Sequence, residues 1–543
     1  MTRLRTVSLN MKPRTPTLRQ LTKINTASCL PLGATSKILG PIAWDRRPFS
    51  SRVAAPRRST QHVCWGHQAS PSSVTLQSTR SRHSRRAYAS ISAAELQFGQ
   101  PVHETHPHLL GAGEITPGIT AQEYSDRRSK LASSLPGNGI AILAASDTKY
   151  RSGAVFYEFH QDPNFLYLTG FNEPEAVAVI QKLGSTADYN FHLFLRPKDA
   201  HAELWDGARS GEQAALDVFN ADESGDIKNL PSLLQPLIDG ASDVYTDITT
   251  QPSGLRRFFK SQTQDSSSMF QKMVKDSRLK PLKPLMNNLR VVKSEAEIAN
   301  MRMAGKISGR TFTNAMRQQF SKEKDLGAFM DYNFKIGGCE TSAYIPVIAG
   351  GKNALAIHYV SNNAALRDGE IVLVDAGGQY GGYIADITRT WPINGRFSDA
   401  QRDLYEAILR VQRSSVSLCR ESSIMSLDNI HEVTQAGLKD ALKQLGFDVS
   451  GDAMDVLFPH HVGHYVGLDV HDCPGFTRST QIRSGYCVTV EPGIYVPNDE
   501  RWPKHFQGLG IRIEDSVCVQ DDHPLILTTE AVKEIVDIEA LRD

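Results

Sequence analysis

Acidic residues stand inside runs that otherwise read as buried β-strands, and nothing else in the sequence restricts the fold as tightly. In IVLVDAGGQYGGYIADITRT, residues 371–390, two strand-like runs flank a glycine-rich turn, and each carries one aspartate, Asp375 and Asp386. A hairpin folded symmetrically about Tyr380 and Gly381 places these two directly opposite each other, where cross-strand Cβ atoms are roughly 4.5–5.5 Å apart. In a partly dry interior of effective dielectric near 20 they repel by about 4 kcal/mol, so a positive group must lie beside them, and a divalent cation meets that need directly. Glu491 in TVEPGIY and Glu514 in IRIEDSV also interrupt β-branched runs, where a lone buried carboxylate is costly. Any one of the four, taken singly, fits equally well on the solvent face of its strand. Four together, with the histidines described next, favour one shared site.

Residues 459–472 read PHHVGHYVGLDVHD and hold four of the seventeen histidines: His460, His461, His464 and His471. Four carboxylates and one neutral imidazole carry a charge that two divalent ions balance. Oxygen-rich ligation with a single nitrogen suits Mn²⁺ first and Co²⁺ second, rather than a thiolate-built zinc site. The seven cysteines form no CxxC pair, and Cys29 and Cys64 lie far from the rest. Such scatter argues against a disulfide framework and suits a reducing compartment.

The ordered set Asp375, Asp386, His464, Glu491 and Glu514 resembles the dinuclear metal site of the pita-bread metallopeptidases of family M24, which include methionine aminopeptidase, aminopeptidase P and prolidase. HVGHYVGLDVHD is similar to their proline-peptidase signature, and DPNFLYLTGFNEPEAV, residues 162–177, to the amino-terminal domain of aminopeptidase P. The resemblance runs from about residue 116 to the end of the sequence. It implies that Asp375 binds one metal, that Asp386 and Glu514 bridge both, and that His464 and Glu491 bind the other. A water between the ions is then the nucleophile, with Glu491 carrying its proton to the leaving amine. His358, His460 and His471 match the histidines that contact the scissile carbonyl and the residue after the cut. Arg512 and Tyr495 are implied to steady the carboxylates or the substrate, and Asp375 to sit beside the substrate's free amine. The residue after His460 is usually small in this signature, so His461 is a departure without an assigned role.

The resemblance also implies an α+β fold class: a pita-bread catalytic domain over 291–543, preceded by a smaller α/β domain over 110–260 and a linker over 261–290. Local patterning agrees. GIAILAAS, EAVAVIQK and NFHLFLRP alternate with helix-compatible segments. Ser294 with Glu297 and Ser398 with Gln401 read as helix starts, and a further helix spans about Ser426 to Gly446, where the glycine suits a carboxy-terminal cap.

With 543 residues, 22% charged and a net charge of +1, the chain lacks the concentrated basic field that nucleic acid requires as a partner. No apolar run is long enough for a transmembrane helix. Residues 1–94, however, hold one acid, Asp45, among many arginines, serines and threonines, the composition of a mitochondrial transit peptide rather than a folded domain, assigned here to residues 1–90; the other reading is a disordered tail. These observations and the resemblance together predict a mitochondrial matrix aminopeptidase acting on peptide or protein N-termini, as a homodimer like its relatives. Its expected task is to trim one bulky residue from imported proteins after presequence cleavage. The alternatives are a Xaa-Pro aminopeptidase proper, a prolidase confined to Xaa-Pro dipeptides, and a pita-bread binding protein that has lost catalysis. SRRAYASIS, residues 84–92, resembles a matrix-processing site, so the enzyme is expected to trim its own Tyr88. Mass spectrometry of the mature protein should find Ala89 first, and a start at Tyr88 or well upstream would refute self-trimming.

Overall fold

The computed structural model of the chain describes residues 97–184, 187–248 and 278–543, all within one compact unit, Ala87–Asp543. The expected leader, Tyr88 included, and residues 261–277 of the expected linker lie outside the described residues.

The amino-terminal part is built on a six-stranded mixed sheet, in the order Leu279–Lys280, Val244–Tyr245, Ile140–Ala144, Val177–Lys182, Tyr189–Leu195, Glu223–Asp226. Side chains alternate across a strand, and both faces of this one are apolar. Ile140 and Ile142 pack with Leu230, Leu234 and Ile238 of the helix Leu230–Gly240. Ala141 and Leu143 pack on the other face with Tyr124 and Leu131 of the helix Ala121–Ser134, and with Phe165 and Leu168 of the helix Pro163–Thr169. That second cluster continues through Ile298, Met301, Tyr383, Val466 and Leu468, so one apolar surface seats the sheet on the carboxy-terminal part. The described end of the expected linker is regular structure: Leu279–Lys280 forms the edge strand and Lys283–Arg290 a helix.

In the carboxy-terminal part the order of two helices followed by antiparallel strands occurs twice. The helices Glu295–Met316 and Glu323–Ile336 precede a sheet of Val347–Gly350, Ile371–Ala376 and Ile387–Pro392. The helices Asp399–Ser417 and Leu427–Gln444 precede a sheet of Cys487–Val490, Asp515–Val519 and Pro524–Ile526, and the two-stranded ladder Gly493–Tyr495 with Gly510–Arg512. Three helices begin where their sequence signals stand. Ser294 Oγ accepts from the Glu297 N–H at 3.2 Å while Glu297 accepts from the Ser294 N–H at 2.9 Å. Ser398 with Gln401 and Ser426 with Asn429 form the same reciprocal pairs, and Gly446, at φ +86°, follows the third helix.

The hairpin of residues 371–392 differs from expectation. Asp375 pairs with Thr388, not with Asp386, because the turn is Gly381-Gly382 rather than Tyr380-Gly381. The two glycines have φ of +59° and +83°, as the tightest hairpin turn requires, and tyrosine is poorly suited to such a conformation. Asp386 is therefore displaced by two residues from Asp375's partner position, into the gap between the strands Tyr383–Ile384 and Ile387–Pro392. Gly381→Ala is expected to destabilise the protein by about 1–3 kcal/mol, its added methyl also lying 2.7 Å from Asn300 Nδ2. Thermal denaturation reads this out, and an unchanged midpoint would contradict the two-glycine turn.

Candidate metal centre

Three of the four acids sit where strands break. Asp386 precedes Ile387–Pro392, Glu491 follows Cys487–Val490, and Glu514 separates Gly510–Arg512 from Asp515–Val519. At the joints beside Asp386 and Glu514 the two halves of the carboxy-terminal part are bonded together. The Glu514 N–H donates to the Thr388 carbonyl at 3.0 Å, and Ser516 Oγ donates to the Asp386 carbonyl at 2.8 Å. Each break thus turns an acid inward; the backbone at 386 and 514 is satisfied by the opposite half, and the Glu491 N–H donates to the Val462 carbonyl at 2.8 Å within its own half.

Ligand-capable atoms of Asp386, His464 and Glu514 lie within 4.8 Å of one another. Asp386 and Glu514 are only 4% and 2% exposed. His464 Nε2 is 3.5 Å from both Asp386 Oδ2 and Glu491 Oε1. Its Nδ1 faces the Tyr465 carbonyl at 3.1 Å; a carbonyl only accepts, so Nδ1 carries the proton and Nε2 points into the acids, as in a metal-binding imidazole. The segment around His464 lies against the strand Cys487–Val490, where the Thr489 N–H donates to the His464 carbonyl at 2.9 Å. A Cβ at Gly463 would stand 1.9 Å from the Thr489 carbonyl oxygen, so only glycine permits this approach.

Asp375 enters from the neighbouring strand. Its Oδ2 accepts from Arg512 Nη2 at 2.6 Å. The Tyr344 hydroxyl is 2.6 Å from Oδ1 of Asp375 and 2.6 Å from Oδ1 of Asp386, so the two aspartates converge on it despite the altered register. Arg512 also donates from Nε to Thr388 Oγ1 at 2.9 Å, and Thr388 in turn donates to Glu514 Oε2 at 2.5 Å.

The electrostatics of this cluster fit a bound divalent cation. Burial, followed by Asp386, Glu491 and Asp375, pushes Glu514 well above the usual carboxylate range. Burial also raises Glu491 to about 7 and lifts Asp375 against the pull of Arg512. Burial opposes charge on His464, but Asp386 and Glu491 outweigh it and hold its pKa up at about 9. A cation among the carboxylates reverses this balance, restoring ionised acids and a neutral ring. Among the described residues Arg512 is the one arginine or lysine that reaches these carboxylates, and it meets only Asp375.

The remaining histidines divide by environment. His471 is exposed, with its ring edge-on to His464 at 4.4 Å. His358 is also exposed, and its charge is among the influences that lower the pKa of His471 after burial and His464. The loop carrying His358 is pinned by buried Glu323, which accepts from the Gly350 N–H, Asn353 Nδ2, the Tyr359 hydroxyl and the Ala364 N–H at 2.8–2.9 Å. His460 is already engaged at both nitrogens: Nδ1–H donates to the His461 carbonyl, and Nε2 accepts from the Tyr495 hydroxyl, each at 2.9 Å. Tyr495 in turn accepts from Arg512 Nη1 at 2.8 Å. Burial and then the Arg512 charge push His460 down to about 4. His461 points away from the cluster and stacks on His431 at 4.6 Å, while the Val462 N–H donates to His431 Nδ1 at 3.2 Å. Together they tie the histidine segment to the helix Leu427–Gln444. Sequence reasoning missed Tyr344, Thr388 and Glu323, whose contacts come from distant segments and leave no local pattern.

Two family models match the chain: "Metallopeptidase family M24" over residues 299–521 and "Aminopeptidase P, N-terminal domain" over residues 124–245. Intermediate cleaving peptidase 55 of Saccharomyces cerevisiae is 44% identical over 471 residues, covering 86% of this chain and 92% of its own length. Its crystal structure lacking 58 amino-terminal residues superposes with a TM-score of 0.74 at 43% identity, over 80% of this chain and 99% of that one. Xaa-Pro aminopeptidase 3 of Homo sapiens is 38% identical, covering 82% and 90%, and the mitochondrial intermediate cleaving peptidase 55 of Arabidopsis thaliana 35%, covering 84% and 90%. The twice-occurring helices and sheets are thus the pita-bread catalytic domain, the six-stranded sheet is the smaller α/β domain ahead of it, and the chain belongs to metallopeptidase family M24.

Proposed function

We propose that this chain is a metallo-aminopeptidase that removes the first residue of polypeptides, trimming one residue from imported mitochondrial proteins after presequence cleavage. The observation that carries this reading is the buried cluster of Asp386, His464 and Glu514, joined by Asp375 and Glu491. Membership of family M24 implies divalent metal ions, and the five residues would hold two, Mn²⁺ by the hardness of their oxygens. Bound there, such ions supply Lewis acidity toward a carbonyl and lower the pKa of water toward neutrality.

The chain's own residues do the rest. Arg512 occupies one oxygen of Asp375 and so orients the other toward the cluster. Glu491, its Oε1 3.5 Å from His464 Nε2, carries a proton to the leaving amine. His358 and His471, both exposed beside the cluster, meet the peptide. His460 contributes through the Arg512–Tyr495–His460 chain that braces the rim of the site. Asp375 receives the free amine, which confines cleavage to the first bond.

A mitochondrial matrix location is supported by the arginine-rich, acid-poor composition of residues 1–94, and by the mitochondrial relative of Arabidopsis thaliana. A homodimer is supported by the exposed apolar side chains of the amino-terminal part, among them Phe156, Leu204 and Trp205, the last 75% exposed.

Metal-stripped protein resupplied with Mn²⁺ is expected to release the first residue of a Tyr-Ala-Ser peptide. An Xaa-Pro-Xaa peptide and an Xaa-Pro dipeptide, assayed beside it, separate the trimming, aminopeptidase P and prolidase activities. If none of the three is cleaved, or if Asp386→Ala retains full activity, the enzyme reading fails. His464→Ala should weaken metal binding by about 10-fold or more, since even partners one step removed from a metal contribute on that scale. His471→Ala should slow turnover by about 100-fold with metal content intact. Metal analysis beside steady-state kinetics distinguishes the two, and loss of metal from His471→Ala would contradict its assignment to the substrate.

A further inference from the structure

His471 is exposed, yet its neighbours in sequence are bound to buried charges. Asp472 is 4% exposed. It accepts from Lys293 Nζ at 2.9 Å and, through its other oxygen, makes a very short contact with Arg290 Nη2. The same Arg290 nitrogen reaches Asp469 Oδ2, on the other side of His471, at 3.4 Å. From Nη1 Arg290 donates to Asn164 Oδ1 at 2.7 Å, at the start of the helix Pro163–Thr169. One turn earlier, Asn287 Nδ2 donates to the Pro474 carbonyl at 3.0 Å. Residues 469–474 are thus gripped at several points by the short segment Asn287–Lys293, which lies between the two sheets in sequence.

Stability alone does not account for this cluster, because well-packed apolar residues usually serve as well as a buried ion pair. Its geometry has a positional consequence. A guanidinium is planar and bonds in fixed directions, so Arg290 sets the separation of Asp469 and Asp472 and with it the course of the loop between them. His471 is in that loop.

We propose that Arg290, with Lys293 and Asp472, is a positioning clamp for His471, holding its ring against His464, and that Asn164 makes this placement depend on the seating of the amino-terminal sheet. The inference rests on the reading of His471 as a substrate-facing histidine given above. It adds that the residues of the clamp act through His471 alone, touching neither metal nor peptide.

A double-mutant cycle on the full-length enzyme tests it. Arg290→Lys keeps the charge and loses the planar fork. It is expected to lower kcat/KM by about tenfold, as small misplacements of a catalytic group do, with metal content and circular dichroism unchanged. In a His471→Ala background the same substitution should cost less than about twofold, because the group it positions is gone. Asn164→Ala should show the same dependence at about threefold, and it decides the question if Arg290→Lys does not fold. Equal losses in both backgrounds, or no loss from Asn164→Ala, would overturn the clamp while leaving the role of His471 standing. A His471→Ala enzyme as active as the parent would overturn the reading of His471 and the clamp with it.

Discussion

Four carboxylates and an imidazole share one largely buried volume in this protein, and the repulsion among the carboxylates is the constraint on which the rest of the site depends. Burial and the neighbouring carboxylates drive Glu514, Glu491 and Asp375 toward their neutral forms, and Arg512, whose charge opposes this at all three, pairs directly only with Asp375. A divalent cation resolves that conflict because it concentrates charge where the oxygens converge. The surrounding hydrogen bonds follow from the same need. Thr388 holds Glu514, Thr489 lies 3.3 Å from Glu491, and Tyr344 spans the two aspartates, so apart from Arg512 on Asp375 the acids are fixed by neutral donors.

The fold meets the constraint by breaking its own strands. A continuous ladder would direct alternate side chains into the two apolar faces, where an acid is excluded. Interrupting the strand at Asp386, Glu491 and Glu514 frees each acid to turn inward, and the backbone groups released at 386 and 514 are taken up by the opposite half of the domain. The halves are therefore held together at the residues that form the site. A change in how they pack would move the acids relative to one another.

Around this rigid centre the exposed histidines stand on pinned loops. His358 follows a turn anchored by the buried carboxylate of Glu323, and His471 lies between two carboxylates bonded to Arg290. Both arrangements use a buried charge satisfied from several directions, which specifies a position more narrowly than apolar packing does. His461 shows a related device in miniature, with one imidazole stacked on another to fasten the histidine segment to a helix.

Much of this was legible in the sequence. Acids inside β-branched runs, paired with a histidine-rich segment, pointed to the cluster, and reciprocal caps at Ser294 and Ser398 marked two helix starts, because both are local patterns governed by a few adjacent residues. The hairpin register differs from a fold symmetric about Tyr380 and Gly381 by two residues, because Gly-Gly is the pair suited to a turn with positive φ at both central positions. Tyr344, Thr388, Glu323 and Arg290 carried no sequence signal, each meeting its partner only across many intervening residues. The sequence by itself thus determined which residue types could bind metal and where helices begin. The tertiary structure alone decided which of those residues converge and what holds them, because convergence depends on the packing of distant segments and no local pattern encodes it.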